Sequence, residues 1–177
     1  MRCKNVKILN IMYKSTLKIL AAAIMAASIQ CCTPVEEQIK ASSASLMTIN
    51  RGIDSVYNLL NQSYETFQAS EMDNALAGLN KYLDQASQNL RDLNLSDDCK
   101  PLCKAISDKV ETLRSIAATE SKEQVRLYKI PDSDFSDELR RQWDNISARV
   151  DKKFTEASAK VTNANNELNK KQKKSNK

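Results

Sequence analysis

Long runs of apolar residues at intervals of three and four, with almost no helix-breaking residues between them, restrict what this chain can fold into. The 177 residues include only two glycines and three prolines, the two residue types that interrupt helices most strongly. A spacing of three and four places side chains on one face of a helix, where they can be buried against other helices. The sequence therefore predicts an all-α protein.

Four such runs follow one another between short breaks. The predicted helices cover about residues 36–69, 70–93, 101–128 and 135–168. The last would be about 34 residues, or roughly 50 Å, long. Short linkers between successive helices favour an elongated antiparallel bundle of about four helices.

Local signals refine the helix boundaries and interiors. Ser70 has the residue type of an N-cap for the second helix, because its hydroxyl can accept from exposed backbone amides. Gly52 interrupts the first helix at a cost of about 1 kcal/mol, and the polar residues 119–122 weaken the middle of the third. Residues 130–133, with their proline and two polar residues, are the strongest break.

The first 30 residues have the order of a secretory signal peptide. Residues 1–18 carry five basic residues and no acid, and residues 19–29 carry no charge. Eleven residues span about 16 Å as a helix, which is too short for a hydrocarbon layer of about 30 Å. We therefore expect residues 1–30 to be removed, and Met12 is an alternative start of the same signal.

Two adjacent cysteines follow this apolar run and resemble the cleavage box of bacterial lipoproteins. The resemblance implies that Cys31 receives the lipid, or Cys32 if the box begins one residue later. Gln30 stands where a small residue is usual, and the alternative is an ordinary secreted protein cut after residues 26–28. With lipid attached, residues 31–36 would be a short tether and residues 37–168 the bundle.

The net charge of +5 comes from the two ends of the chain. Removal of the signal peptide leaves a neutral chain, in which five lysines of residues 169–177 balance an acidic body. This distribution does not indicate nucleic-acid binding. The polar composition of residues 169–177 predicts a disordered basic tail.

Cys99 and Cys103 flank Pro101 at the predicted start of the third helix. In an exported protein, two cysteines this close favour a structural disulfide. The alternatives are weaker, because a zinc site would lack histidine ligands and a redox pair has two intervening residues rather than three.

Catalytic chemistry has little support. The chain has no histidine, no glycine-rich loop for phosphate and no base beside its serines. We therefore expect no enzymatic activity, no metal and no cofactor, and interpret the protein as a binding or structural module.

Taken together, the leader with Cys3, the cysteine pair, the amphipathic helices and the lysine-rich residues 169–177 resemble the small all-helical surface lipoproteins of spirochaetes, such as factor H-binding and decorin-binding proteins. The resemblance implies an outer-membrane protein at the cell surface that binds a host protein, with a complement regulator such as factor H as the leading partner and immune evasion as the outcome.

Two regions are the candidate binding surfaces. One is the connection at residues 129–141, and the other is the tail, whose C-terminal lysine suits the lysine-binding kringles of plasminogen and whose charge suits sulfated glycosaminoglycans. The candidate residues are Ile130, Phe135, Glu138, Arg140, Arg141, Lys174 and Lys177. A periplasm-facing scaffold lipoprotein is the second hypothesis, and an immunity or entry-exclusion lipoprotein is the third.

Overall fold

The computed structural model describes residues 35–65 and 68–175. The described residues form α-helices joined by short connections, which confirms the predicted all-α bundle. The helices are α1 (Val35–Glu65), α2 (Ala69–Asp92), α3 (Lys100–Ile116), α4 (Lys122–Tyr128) and α5 (Asp137–Ser175). A π-helical turn, Ala117–Ser121, joins α3 to α4, so that these two elements form one continuous helical run.

The chain divides into two compact units, Met1–Gln38 and Ile39–Lys177, and every contact described below lies within the second. The cysteines Cys31 and Cys32 and the C-terminal Lys177 lie outside the described residues.

The core is built from the apolar stripes that the sequence predicts. Leu46, Ile53 and Leu60 of α1 are fully buried at successive seven-residue intervals. The stripes of the other helices meet them, as the stacking of Tyr57 on Phe154 of α5 shows, with 4.0 Å between ring centroids. Burial of one face of each helix is the main stabilising contribution in such a bundle.

Contacts at the helix ends show that neighbouring helices are antiparallel. Cys99, between α2 and α3, lies with its Sγ 3.7 Å from the carbonyl oxygen of Ile39, near the start of α1. Lys171, near the end of α5, lies 3.5 Å from Asp98 of the same connection. We call this end, with Ile39, residues 96–100 and the last turns of α5, the base.

The opposite end contains the connection between α4 and α5. Lys129 Nζ lies 2.8 Å from a carboxylate oxygen of Asp73, in the first turns of α2. We call this end, with the start of α2 and residues 129–141, the apex. From Ile39 to Glu65, α1 rises by about 39 Å, and α2 begins four residues after Glu65. The base and the apex are therefore separated by most of the length of α1.

Helix α1 runs from Val35 to Glu65 instead of over about residues 36–69, and two further predicted boundaries are wrong. Ser70 lies inside α2 instead of capping it, because the helix begins one residue earlier, at Ala69. The extended backbone of Gln68 provides the N-cap, and its carbonyl accepts from the amides of Glu71 and Met72 at 3.0 and 3.3 Å. No side chain caps this helix, although Glu71 in the first turn complements the positive end of its dipole.

The second wrong boundary is at the C-terminus, where residues 169–177 were predicted to be disordered. Instead α5 continues to Ser175 and has 39 residues, or about 58 Å. Lysine and glutamine have good helix propensity, and the buried Leu168 holds the preceding turn against the core. The ion pair of Lys171 with Asp98 adds a contact beyond the predicted end.

The weak polar stretch predicted at residues 119–122 corresponds to the π-helical turn. The helix continues through this turn, with Glu120 and Ser121 both buried. Single π-helical turns within α-helices are frequent at sites with a special structural role.

Candidate functional site

The connection at the apex is anchored to the bundle by its apolar residues. A 3-10 turn, Asp132–Asp134, follows Pro131, and Ile130 and Phe135 on either side are half-buried and pack against the core. Lys129 ties the same connection to α2. The turn itself is exposed. The apex therefore presents an acidic turn that two apolar residues anchor to the core.

The charged candidates at the apex do not form one cluster. Glu138 and Arg141 pair at 3.3 Å on one face of the first turns of α5, and their side chains are 83% and 72% exposed. Arg140 lies two residues from Glu138, which is about 200° around the helix. It is exposed, and it forms no ion pair with any other described residue.

Lys174 belongs to the last turn of α5, at the base. The structure therefore separates this predicted tail residue from the apex candidates by the length of the bundle. A single binding surface cannot include both ends.

Ring contacts between aromatic residues connect the helix ends next to the apex. The ring of Trp143 meets Tyr64 of α1 edge to face at 5.6 Å and lies 6.4 Å from the ring of Tyr128. Burial raises the pKa of Tyr64 to about 12, so its hydroxyl stays neutral in this apolar surrounding. These contacts hold the ends of α1, α4 and α5 together under the connection.

A buried charge cluster in the middle of the bundle was not predicted. Lys109 of α3 is only 1% exposed, and its Nζ donates to Asp54 Oδ1 at 2.5 Å and to Asn50 Oδ1 at 3.1 Å. Asn50 Nδ2 donates in turn to Asp54 Oδ2 at 3.1 Å. The ammonium also lies 5.0 Å from the ring centroid of Phe154, within the range of a cation–π contact.

The sequence contains a signal for this cluster. Lys109 falls beside Val110 on the apolar stripe of its helix, and Asn50 follows Ile49 on the stripe of α1. A polar residue on a buried face needs a partner. Sequence spacing alone does not reveal which helix supplies that partner.

A second buried charge lies in the π-helical turn. Glu120 has a side chain only 9% exposed and accepts from Lys153 of α5 at 2.5 Å; Thr119 also donates to it. Burial alone would raise the pKa of Glu120, but the hydrogen bonds from Lys153 and Thr119 outweigh it and lower the pKa below the usual range. Glu120 is therefore a carboxylate held in its charged form.

A cleft of about 450 Å³ lies between α3 and α5 and has a mixed lining. Its walls include three lysines and three acids, namely Lys109, Lys153, Lys160, Asp108, Glu111 and Glu156. Lys109 and Lys153 are already paired with Asp54 and Glu120. Neither lysine therefore offers an unpaired positive charge to a ligand in this cleft. Among the described residues, no group of three acids or cysteines is placed to hold a metal ion.

The predicted disulfide is not formed in the structure. Cys99 and Cys103 are both free thiols. Cys99 adopts right-handed helical backbone angles, with φ −85° and ψ −14°. Residues four apart on a helical turn have Cβ atoms about 5–6 Å apart, whereas a disulfide requires about 3.8 Å. Cys99 Sγ instead donates to the carbonyl oxygen of Ile39 at 3.7 Å.

Comparisons with protein-family models, with curated proteins and with solved structures give no match to this chain. Within residues 35–65 and 68–175, none of the helices has the length and apolar character needed to span a bilayer. The functional interpretation therefore depends on the sequence features and on the geometry described above.

Proposed function

We propose that this protein is a bacterial lipoprotein of the outer membrane that presents the apex of a helical bundle to a host protein. The observation that carries the proposal is the position of the apex. The connection at residues 129–136 contacts Asp73 of α2, whereas Ile39, the first residue of the bundle unit after the cysteine pair, contacts Cys99 at the base. A lipid on Cys31 or Cys32 would thus leave the apex on the side away from the membrane.

The apex has the build of a binding surface rather than of a catalytic site. Ile130 and Phe135 hold the connection against the core, so a partner would meet it with little loss of conformational freedom. Arg140 supplies an exposed positive charge without an ion-pair partner among the described residues. Such charges steer association and select partners.

The partner class comes from the resemblance to spirochaetal surface lipoproteins, and a complement regulator such as factor H is the leading member. Binding of this kind would protect the cell from complement. Plasminogen or a glycosaminoglycan-bearing protein, bound through the lysines of the tail, has less support, because α5 carries Lys174 to the base rather than to the apex.

The test combines cell-surface and binding measurements. Protease treatment of intact cells should digest the protein, and the full chain should retain a complement regulator from serum.

Arg140→Glu should weaken this binding about 30-fold if Arg140 is a central contact. Arg149→Glu, a charge reversal at another exposed position of α5, is the matched control and should bind normally. Unchanged binding by Arg140→Glu would remove Arg140 from the interface, and protection from protease would favour a periplasmic scaffold.

That scaffold is the second candidate function, and one observation favours it. Helix α5 has 39 residues in one uninterrupted element, or about 58 Å. A helix of this length suits a spacer between envelope components. In that role the apex would contact another envelope protein instead of a host protein.

A further inference from the structure

The last turns of α5 place three lysines at the base of the bundle. Lys170, Lys171 and Lys173 are exposed, and α5 is helical throughout this stretch. Lys170 and Lys173 share one face, three residues apart, and Lys171 lies about 100° around the helix from Lys170. The side chains of these lysines therefore project from a fixed helix end.

The acids at the base do not cancel this charge, because the three acids Asp97, Asp98 and Glu167 are outnumbered by Lys100 and the four lysines of residues 170–174. Asp98 pairs with Lys171 at 3.5 Å, and Asp97 pairs with Lys100 at 2.6 Å. Lys170 and Lys173 form no ion pair within the described part of the chain. The base therefore keeps an excess of positive charge that is available to an anionic partner.

The position of Ile39 limits how far the base can lie from a lipid on Cys31. Ile39 contacts Cys99 at the base and follows Cys31 by eight residues. Eight residues span at most about 28 Å even when fully extended. A lipid at Cys31 or Cys32 would hold the base, not the apex, near the headgroups, and a short tether raises the effective concentration of lysines at that surface.

We propose that the base is a second membrane contact, in which Lys170, Lys171 and Lys173 bind the phosphates of anionic phospholipids. This inference depends on the lipid anchor of the proposed function. One lipid tether leaves a domain free to tilt, whereas a tether and a basic surface together fix its direction. The contact would hold α5 at a steep angle to the bilayer and the apex away from it.

The experiment uses the full lipidated chain in vesicles of phosphatidylcholine alone or with about one third phosphatidylglycerol. Acylation of lysines by a water-soluble amine reagent is followed by mass spectrometry. Because a basic residue near an anionic surface gains about fivefold in binding, acylation of the three base lysines should be at least fivefold slower on the anionic vesicles. About 0.5 M NaCl, which shortens the Debye length to roughly 4 Å, should abolish the difference. Lys122 and Lys152, exposed elsewhere, should react equally on both vesicles.

The orientation has a separate readout, because Trp143 is the only tryptophan and contacts Tyr64 and Tyr128 at the apex side. Energy transfer from Trp143 to a headgroup dye should be lower on anionic than on neutral vesicles. The variant Lys170→Gln/Lys171→Gln/Lys173→Gln should lose this difference. Lys122→Gln/Lys152→Gln/Lys160→Gln removes the same charge elsewhere and should keep it.

The two proposals fail in different ways. Vesicle-bound protein with equal acylation of the base lysines on both lipid compositions would overturn the second contact and leave the anchor standing. Protein that does not float with any vesicle would overturn the anchor and, with it, this contact. Loss of the energy-transfer difference in both triple variants would also overturn the second contact, because the orientation would then depend on total charge and not on the base lysines.

Discussion

The ammonium of Lys109 lies 2.5 Å from Asp54 Oδ1, although the Lys109 side chain is only 1% exposed. The pair connects α3 to α1 across the interior of the bundle. Asp54 is 35% exposed at the edge of the core, so water reaches the acid but not the lysine. The two partners therefore differ in their access to water. Removing Asp54 and removing Lys109 should lower the free energy of unfolding by different amounts.

Loss of the acid should be the more damaging change. Asp54→Ala leaves a buried ammonium with only Asn50 as its hydrogen-bond acceptor, and breaking a buried pair in this way costs about 3–5 kcal/mol. Lys109→Met keeps most of the volume, removes the buried charge and leaves a carboxylate that water can solvate, but it also leaves the buried Asn50 oxygen without its donor, so its cost should be about 1–2 kcal/mol. Thermal unfolding should show a melting temperature roughly 10 °C lower for Asp54→Ala.

Asp108→Ala is the control for this comparison. Asp108 pairs with Lys104 at 2.9 Å, but both side chains are more than half exposed, and such pairs contribute less than about 1 kcal/mol. Equal destabilisation by Asp54→Ala and Asp108→Ala would contradict a special role for the buried pair.

Gly52 is required for close contact between α1 and α2. A methyl group built at Gly52 would lie 1.7 Å from Tyr82 Oη and 2.5 Å from Cζ of the same ring. Gly52→Ala should therefore destabilise the protein by about 1–3 kcal/mol, although alanine is the better helix former. Urea unfolding of Gly52→Ala, Tyr82→Ala and the double variant measures the coupling. The double variant should be more stable than the sum of the two single losses predicts, and strict additivity would exclude the clash.

Alkaline pH should unfold the protein through its buried tyrosines. Burial raises the pKa of Tyr64 to about 12 and also raises the pKa values of Tyr57 and Tyr82. An unfolded tyrosine has a pKa of about 10, so the stabilisation that depends on the neutral phenol is complete below about pH 10 and is lost as the pH rises toward 12.

Tyr64→Phe removes one of these groups and should make the decline with pH shallower. The measurements are urea midpoints at a series of alkaline pH values and the phenolate absorbance of the folded protein. A Tyr64→Phe variant with the same alkaline decline as the unmodified protein would show that Tyr64 ionises without cost.

Cys99 and Cys103 should be recovered as thiols. Burial, followed by the neighbouring Cys99, raises the pKa of Cys103, so Cys103 has less thiolate at neutral pH than an exposed cysteine and should react slowly. Cys99 is fully buried and should react only after unfolding. Alkylation in denaturant without a reducing agent should add two groups to the peptide that carries both residues. A peptide that gains two groups only after reduction would show that Cys99 and Cys103 form a disulfide.

The sequence was sufficient for the helices and their order. Apolar spacing located all four helical runs, and residues 130–133 do contain the break before α5. These features are local, because each depends on residues within one or two turns of each other. The candidates at the apex do lie at this connection, and their role as a binding surface stays a prediction.

What sequence reasoning missed depends on contacts between distant residues. Lys109 lies on the apolar stripe of its helix, but nothing nearby in the sequence indicates that its partner is Asp54, 55 residues earlier. Gly52 looks like a weak point of α1 until Tyr82 is seen against it. The polar composition of residues 169–177 predicts a disordered tail, but Asp98, far away in the sequence, pairs with Lys171 and holds the end of α5.

The antiparallel order of the bundle has a practical consequence for labelling. Any chain that precedes Ile39 and any chain that follows Ser175 leave the folded unit at its base. A tag fused to the C-terminus would therefore crowd the lysines of α5 and report poorly on the far end. A short epitope inserted in the exposed turn Asp132–Asp134 would instead lie at the apex. Antibody binding to intact cells would then show directly on which side of the membrane the apex lies.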